Sequence, residues 1–220
     1  MSFSLAAGLD AGLATLALDL RMAQRQALLD YLALLQKWNQ VYNLTALRDP
    51  QAMLSHHLLD CLAVVAPLRV QLATLASPGP ISLLDVGSGA GLPGLVLAIC
   101  LPQLRVDCVD TVAKKASFIQ QAALSLGLAN LRGLHARVES LGPAYQVVSA
   151  RAFSSLPDLV AGSDKALLPG GFWMAMKGKT PDDEIQALPP QVQAFHVEPL
   201  QVPGVDAQRC IVWMRRASQP

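Results

Sequence analysis

Apolar positions in the first third of the chain recur every three to four residues. Leu5, Leu9, Leu13, Leu16 and Leu20 form one series, and Leu28, Leu32, Leu35 and Tyr42 a second. This is the spacing of helices with one buried face. Asp49-Pro50 joins an N-cap acceptor to proline at a first helical position. The helix it predicts carries Met53, His57, Cys61 and Val65 on one face and stops before Pro67. Residues 1–76 are therefore expected to form an all-helical region, with Ser77-Pro78-Gly79-Pro80 as the seam that follows. From residue 81 the pattern changes. ISLLDV (81–86), LRVDCVD (104–110), LRGLHAR (131–137), YQVVSAR (145–151) and GFWMAMKG (171–178) have the length and apolarity of buried strands. Helical stretches at 91–101, 113–126 and near 156–168 fall between them. Such alternation predicts a mostly parallel α/β sheet with helices on both faces. The tail, QAFHVEPLQVPG (193–204) and QRCIVWMRR (208–216), reads as two strands with no helix between them, a closing antiparallel hairpin. Residues 81–220 are thus expected to form a Rossmann-like second domain.

In open sheets of this kind ligands sit beyond the carboxyl ends of the strands. Those ends carry Asp85 to Gly91, Asp110, Arg137 to Glu139, Arg151, and Lys177 to Lys179. The first strand runs into LLDVGSGAGLPGL, where Gly87, Gly89, Gly91 and Gly94 interrupt an otherwise apolar run. Glycine there lets a ligand approach the backbone at a helix start. The G-x-G-x-x-G register of dinucleotide folds places Leu92 where the third glycine belongs. The spacing Asp85, Gly87, Gly89, Gly91 suits instead a ligand with an amino-acid end and a nucleoside end but no pyrophosphate, such as S-adenosylmethionine. Asp110, ending the second strand, is the candidate acceptor for the ribose hydroxyls. Val138 and Glu139 form the candidate adenine rim, with Val138 able to pack on the ring and a backbone group or Glu139 able to meet its exocyclic amine.

Composition narrows the class. Of 220 residues, 52% are hydrophobic and 15% charged, a folded globular balance. No run is expected to span a membrane, and the N-terminus lacks a basic secretory leader. Cys61, Cys100, Cys108 and Cys210 are scattered among aliphatic residues, as buried reduced thiols of a cytoplasmic protein would be, with no zinc spacing. A net charge of +1 leaves any nucleic-acid surface to a local patch.

The acceptor atom can be approached by exclusion. The fourth strand ends in SARAFSSLP (149–157), without the Asn/Asp-Pro-Pro-aromatic element of exocyclic-amine methylation. No cysteine stands at a strand's carboxyl end for base-carbon chemistry, and none of His56, His57, His135 and His196 is well placed as a base. A nucleophile with a lone pair and no proton to lose, such as guanine N7, fits what is left, and alignment then becomes the main work. Arg48, Lys114, Lys115, Arg151, Lys177 and Lys179 are the basic residues able to meet RNA, with Arg151 and Lys177 delivered by separate strands to one rim. Trp38, Tyr42 and Trp213 are expected in the core rather than stacked on bases.

KWNQVYNLTALRDP (37–50), HHLLDCL (56–62), DVGSGAGLPG (85–94), Asp110 ahead of a K-K-x-x-F-I helix, ARVES (136–140), SARAF (149–153) and LPGGFWMAMKGK (168–179) together resemble the bacterial 16S ribosomal RNA guanine-N7 methyltransferase family, RsmG, also called GidB or glucose-inhibited division protein B. The resemblance runs nearly end to end. Its departures are small: Cys61 stands where serine is usual, and Lys115 where arginine is common. It implies a class I S-adenosylmethionine-dependent fold, cofactor contacts at Gly87, Leu92, Val138, Glu139 and Arg151, and methylation of one guanine in the decoding-region loop of 16S rRNA. The substrate would be 16S rRNA or a precursor of the small subunit, with no membrane or metal partner. Gly89 and Asp110 join the cofactor set on their own pattern. Arg151 and Lys177 are the expected positioning residues, with Arg48, Lys114 and Lys177 facing RNA. Two other readings share these features: a nicotinamide-dependent oxidoreductase, against which Leu92 counts, and a non-catalytic ribosome-binding regulator.

Overall fold

The computed structural model describes residues 4–75 and 79–217, so part of the expected seam at 77–80 lies outside the described residues. Five helical segments precede the sheet: α1 (Leu5–Thr15), α2 (Met22–Tyr42), α3 (Pro50–Met53), α4 (Asp60–Leu62) and α5 (Val65–Leu72), with a π-helical stretch, Leu54–Leu59, joining α3 to α4. The chain then runs β1 (Ser82–Val86), α6 (Gly94–Cys100), β2 (Arg105–Asp110), α7 (Ala113–Ser125), β3 (Leu131–His135), β4 (Tyr145–Arg151), α8 (Leu156–Ser163), β5 (Leu167–Lys177), α9 (Asp182–Gln186), β6 (Val192–Leu200) and β7 (Arg209–Arg216). The seven strands are ordered β3-β2-β1-β4-β5-β7-β6. β1 to β5 are mutually parallel, and β7 lies antiparallel between β5 and β6.

Alternation along each strand sorts the core into two. Leu83, Val106, Cys108, Val147, Met174 and Trp213 face the N-terminal helices, α6 and α7 as one cluster. Leu84, Val109, Val148, Trp173 and Val212 face the α8 side as another. The period of two forces this division. The helical region therefore shares a core with one sheet face, and that packing carries its residues to the strand ends.

Local expectations needed correction in four places. The first leucine series leaves the helix early: α1 ends at Thr15 and Ala17 takes a positive φ of 51°, so Leu18 and Leu20 reach the core from a loop. Pro67 does not stop a helix. It sits in the first turn of α5, where its missing N–H costs nothing, after a break at Ala63 and Val64. The stretch Pro50–Leu72 is apolar and long enough, by length and composition, to cross a membrane, contrary to the sequence expectation; 67% of its apolar window is buried inside the fold, which accounts for the apolarity. Short α9, within TPDDEIQALPP, escaped the pattern because no residue of it is buried.

Candidate active site at the carboxyl ends of the strands

The loop after β1 divides its glycines by task. Gly87, Gly89 and Gly91 have φ of 64°, 58° and 88°, a region where L side chains are strained. A Cβ on Gly89 would meet nothing within 4 Å, and one on Gly87 would only touch the Phe153 ring at 3.4 Å. These two leave an open cradle. On Gly91 a Cβ would press Leu95 and Ile119 at 3.1 and 3.3 Å, and on Gly94 it would lie 2.4 Å from Cys108 Sγ. Gly91 thus makes room for side chains of α6 and α7, and Gly94 for the packing of α6 on β1 and β2. Below the loop Asp85 is fully buried; it accepts from the Gly94 N–H and the Ser149 hydroxyl, both at 2.9 Å. Burial pushes its pKa up to about 7, against the pull of those two donors. Tyr31 of α2 donates to the Ala90 carbonyl at 2.9 Å and ties the helical region to the loop.

Asp110, at the end of β2, accepts from the Gly89 N–H at 3.0 Å through one oxygen and from the Val112 N–H at 2.9 Å through the other. It thus braces the cradle it was expected to border, and each oxygen keeps a second lone pair. Val138 is buried in a 3₁₀ turn after β3, with Glu139 exposed beside it. Leu92 is buried, 4% exposed, in the core cluster shared with the N-terminal helices.

Beside the loop lies a cavity of about 450 Å³ lined by His56, His57, Asp60, Arg151, Lys177 and Arg209, among others. Arg151 and Phe153 link the two, one lining the cavity and the other lying against Gly87. A larger cavity of about 640 Å³, lined by Leu72, Pro102 and Asn130, lies at the opposite end of the sheet, away from this chemistry. The π-helical stretch brings His56 and His57 to the cavity, and Asp60 follows directly at the start of α4. Such stretches often mark functional sites.

A sequence profile of the family described as rRNA small subunit methyltransferase G matches residues 24–212. The chain belongs to that family. The ribosomal RNA small subunit methyltransferase G of Paracidovorax citrulli (strain AAC00-1) is 63% identical over 219 residues, covering 96% of this chain and 90% of the relative. That of Acidovorax ebreus (strain TPSY) is 62% identical over 216 residues and covers 96% of each. Among solved structures, TrmN from Thermus thermophilus superposes with a TM-score of 0.55 at 22% identity, over 74% of this chain and 53% of that one. A SAM-dependent methyltransferase from Aquifex aeolicus does so at 0.51 and 16%, over 76% and 93%. The fold is accordingly that of the class I S-adenosylmethionine-dependent methyltransferases.

In this member of the family the two expected positioning residues reach one cavity, but neither is free. Arg151 donates to Asp60 and to the His56 carbonyl, both at 3.1 Å. Lys177 holds both oxygens of Glu184, at 3.1 and 2.8 Å, and Glu184 also accepts from the Leu156 N–H at the start of α8. The RNA-facing candidates do not converge. Arg48 is exposed, donates to Asn43 and lines a separate pocket of about 360 Å³, while Lys114 is exposed without an ion-pair partner among the described residues. Lys115 lies 3.7 Å from Asp110. Trp213 is buried as expected, yet Tyr42 is 40% exposed at the end of a ladder through Trp38 to Phe118.

Sequence reasoning passed over Asp60 and Arg209. Asp60 is 5% exposed at its side chain and bridges Arg151 to Arg209, whose Nε lies 3.0 Å from its Oδ1. A lone carboxylate inside the apolar helical run of HHLLDCL was the available signal. It also set aside His56 and His57, which both line the cavity. His57 is within 2.7 Å of the Thr45 hydroxyl. Burial, then the nearby Arg151 charge, lowers its pKa to about 4. Because the unfolded chain then binds that proton more readily, stability is fully present above about pH 6.5 and declines as pH falls toward 4. Asp85 acts in the opposite sense over that range, so the difference between parent and His57→Asn isolates the histidine. Urea unfolding at pH 7, 5.5 and 4.5 should show the parent losing its advantage over the variant; a constant difference would refute the assignment.

Proposed function

We infer that this protein transfers a methyl group from S-adenosylmethionine to N7 of one guanine in 16S ribosomal RNA. The observation that carries the reading is the open cradle at Gly87 and Gly89 set against a donor-lined cavity through Arg151 to Phe153. The family and the fold support it, and they weigh against a nicotinamide oxidoreductase. The cradle fits the cofactor: two left-handed glycines expose backbone, Asp110 has acceptor capacity left for the ribose hydroxyls, and Val138 with Glu139 offers an apolar wall and an acceptor for adenine. When bound, S-adenosylmethionine supplies an electrophilic methyl on a sulfonium, and its transfer to N7 moves the positive charge to the base and releases no proton.

What the chain's own residues must do is hold the base and keep its approach in line, with N7 roughly 3 Å from the methyl. Arg151 and Lys177 are the positioning residues in this reading. Arg48 and Lys114 lie outside the cavity and would meet the RNA backbone. We treat the helical region, 1–76, and the methyltransferase domain, 81–220, as one working unit, because Tyr31, Asp60 and His57 of the first complete the site of the second. The target guanine belongs to the decoding-region loop by family resemblance, and the substrate, 16S rRNA or a small-subunit precursor, places the enzyme in the cytoplasm.

Mass analysis of small-subunit rRNA from cells lacking the protein tests this: one 7-methylguanine should vanish and return on complementation. An unchanged profile would refute the reading. Asp110→Ala should weaken cofactor binding by about one to two powers of ten, the equivalent of charge-assisted hydrogen bonds worth about 1.5–3 kcal/mol. Calorimetry within twofold of the parent would remove Asp110 from the site.

A further inference from the structure

The charged groups lining the cavity are unevenly divided between donors and acceptors. Its one carboxylate, Asp60, is already spent on two guanidinium groups, Arg151 at 3.1 Å and Arg209 at 3.0 Å. Arg209 also gives Nη1 to the Gln208 carbonyl at 2.8 Å, and no partner meets its Nη2 among the described residues. Topology explains its presence. β7 runs against the other central strands and pairs Cys210 with Lys177, so its first residue arrives at the carboxyl end of β5. With Asp60 occupied, Arg209, Arg151 and Lys177 make the charged wall a wall of donors. The cavity, at about 450 Å³, is within the size range of small-molecule sites and admits a base turned out of its stack.

A donor wall discriminates between purines. On the edge that carries N7, guanine adds the acceptor O6, whereas adenine adds the donor N6–H₂. N7 must stay unbonded to take the methyl, which leaves O6 as the atom to read. We propose that Arg209, fixed by Asp60, selects guanine over adenine by donating from Nη2 to O6 of the acceptor base. Arg209 is then the specificity residue and Asp60 its positioning residue. This rests on the reading of the protein as an rRNA methyltransferase acting at a purine N7.

The test uses the full-length protein and small-subunit RNA carrying, at the position the parent methylates, either guanine or 2-aminopurine, which keeps N7 and lacks O6. The parent should favour guanine in kcat/KM by roughly tenfold to a hundredfold. In Arg209→Met the guanine rate should fall much further than the 2-aminopurine rate, so the ratio approaches one. Arg209→Lys keeps a charge for Asp60 but loses the planar fork, so it should collapse the ratio too, and it serves if the first variant does not fold. Asp60→Asn should lower the same ratio, which a purely structural role would leave alone. A ratio preserved in the Arg209 variants, or a parent that does not distinguish the two bases, would overturn the proposal. A parent that methylates neither RNA would instead bring down the rRNA reading itself, and this inference with it.

Discussion

Arg151→Ala is expected to reduce kcat/KM for RNA methylation by about a hundredfold to a thousandfold, while His56→Asn and His57→Asn stay within about tenfold of the parent. Arg151 ends β4 and stands where the cradle meets the cavity, so its loss should reach both cofactor affinity and alignment of the base. It also leaves Asp60 buried with one partner fewer. Breaking a buried pair costs about 3–5 kcal/mol of stability. Thermal unfolding must therefore accompany the kinetics, with Arg151→Lys as the variant that keeps the charge. The histidines line the same cavity, and a general base would have to come from them. The proposed acceptor, N7, has no proton to give up, and His57, with its pKa near 4, is too weak a base to take one near neutral pH. The single-turnover rate at saturating cofactor should then show no histidine ionisation between about pH 6 and 9. A folded, cofactor-bound histidine variant slower by a thousandfold would refute the base-free mechanism and reopen the choice of acceptor atom.

Gly87→Val should weaken S-adenosylmethionine binding by at least about a hundredfold, a loss near 2.7 kcal/mol or more. A β-branched residue at φ 64° is a strained outlier, costing about 1–3 kcal/mol, and its Cβ would begin 3.4 Å from Phe153 on the cradle wall. Gly89→Ala separates ligand from fold. Its added methyl would meet no protein atom within 4 Å, so stability should drop only by the left-handed strain, about 1–2 kcal/mol. Any larger loss in binding must then come from the ligand. Gly94→Ala should do the reverse, disrupting packing against Cys108 and Asp85. Calorimetry and thermal unfolding on the three variants would show this division. Parent-like affinity in Gly87→Val would remove the loop from the cofactor site.

The sequence by itself determined the strands of the parallel sheet, the main helices and the glycine-rich character of the first loop, because these are written in neighbouring residues. The 3–4 spacing of Leu28, Leu32 and Leu35, the apolar runs at 81–86 and 104–110, and the glycines of 87–94 report local backbone needs that no distant contact has to supply. Asp110 and Arg151 were legible for the same reason, as strand ends in a sheet whose ligand side follows from its topology. The tertiary structure alone decided which glycines border open space and which are packed, because that depends on Cys108, Ile119 and Phe153 from three other segments. It alone joined Asp60 to Arg151 and Arg209, 91 and 149 residues away along the chain. It also paired Lys177 with Glu184 of a helix that has no fully buried residue. Pairing of charges across such separations leaves no period in the sequence, since it is fixed by the packing of helices on a sheet face and by the reversed direction of β7.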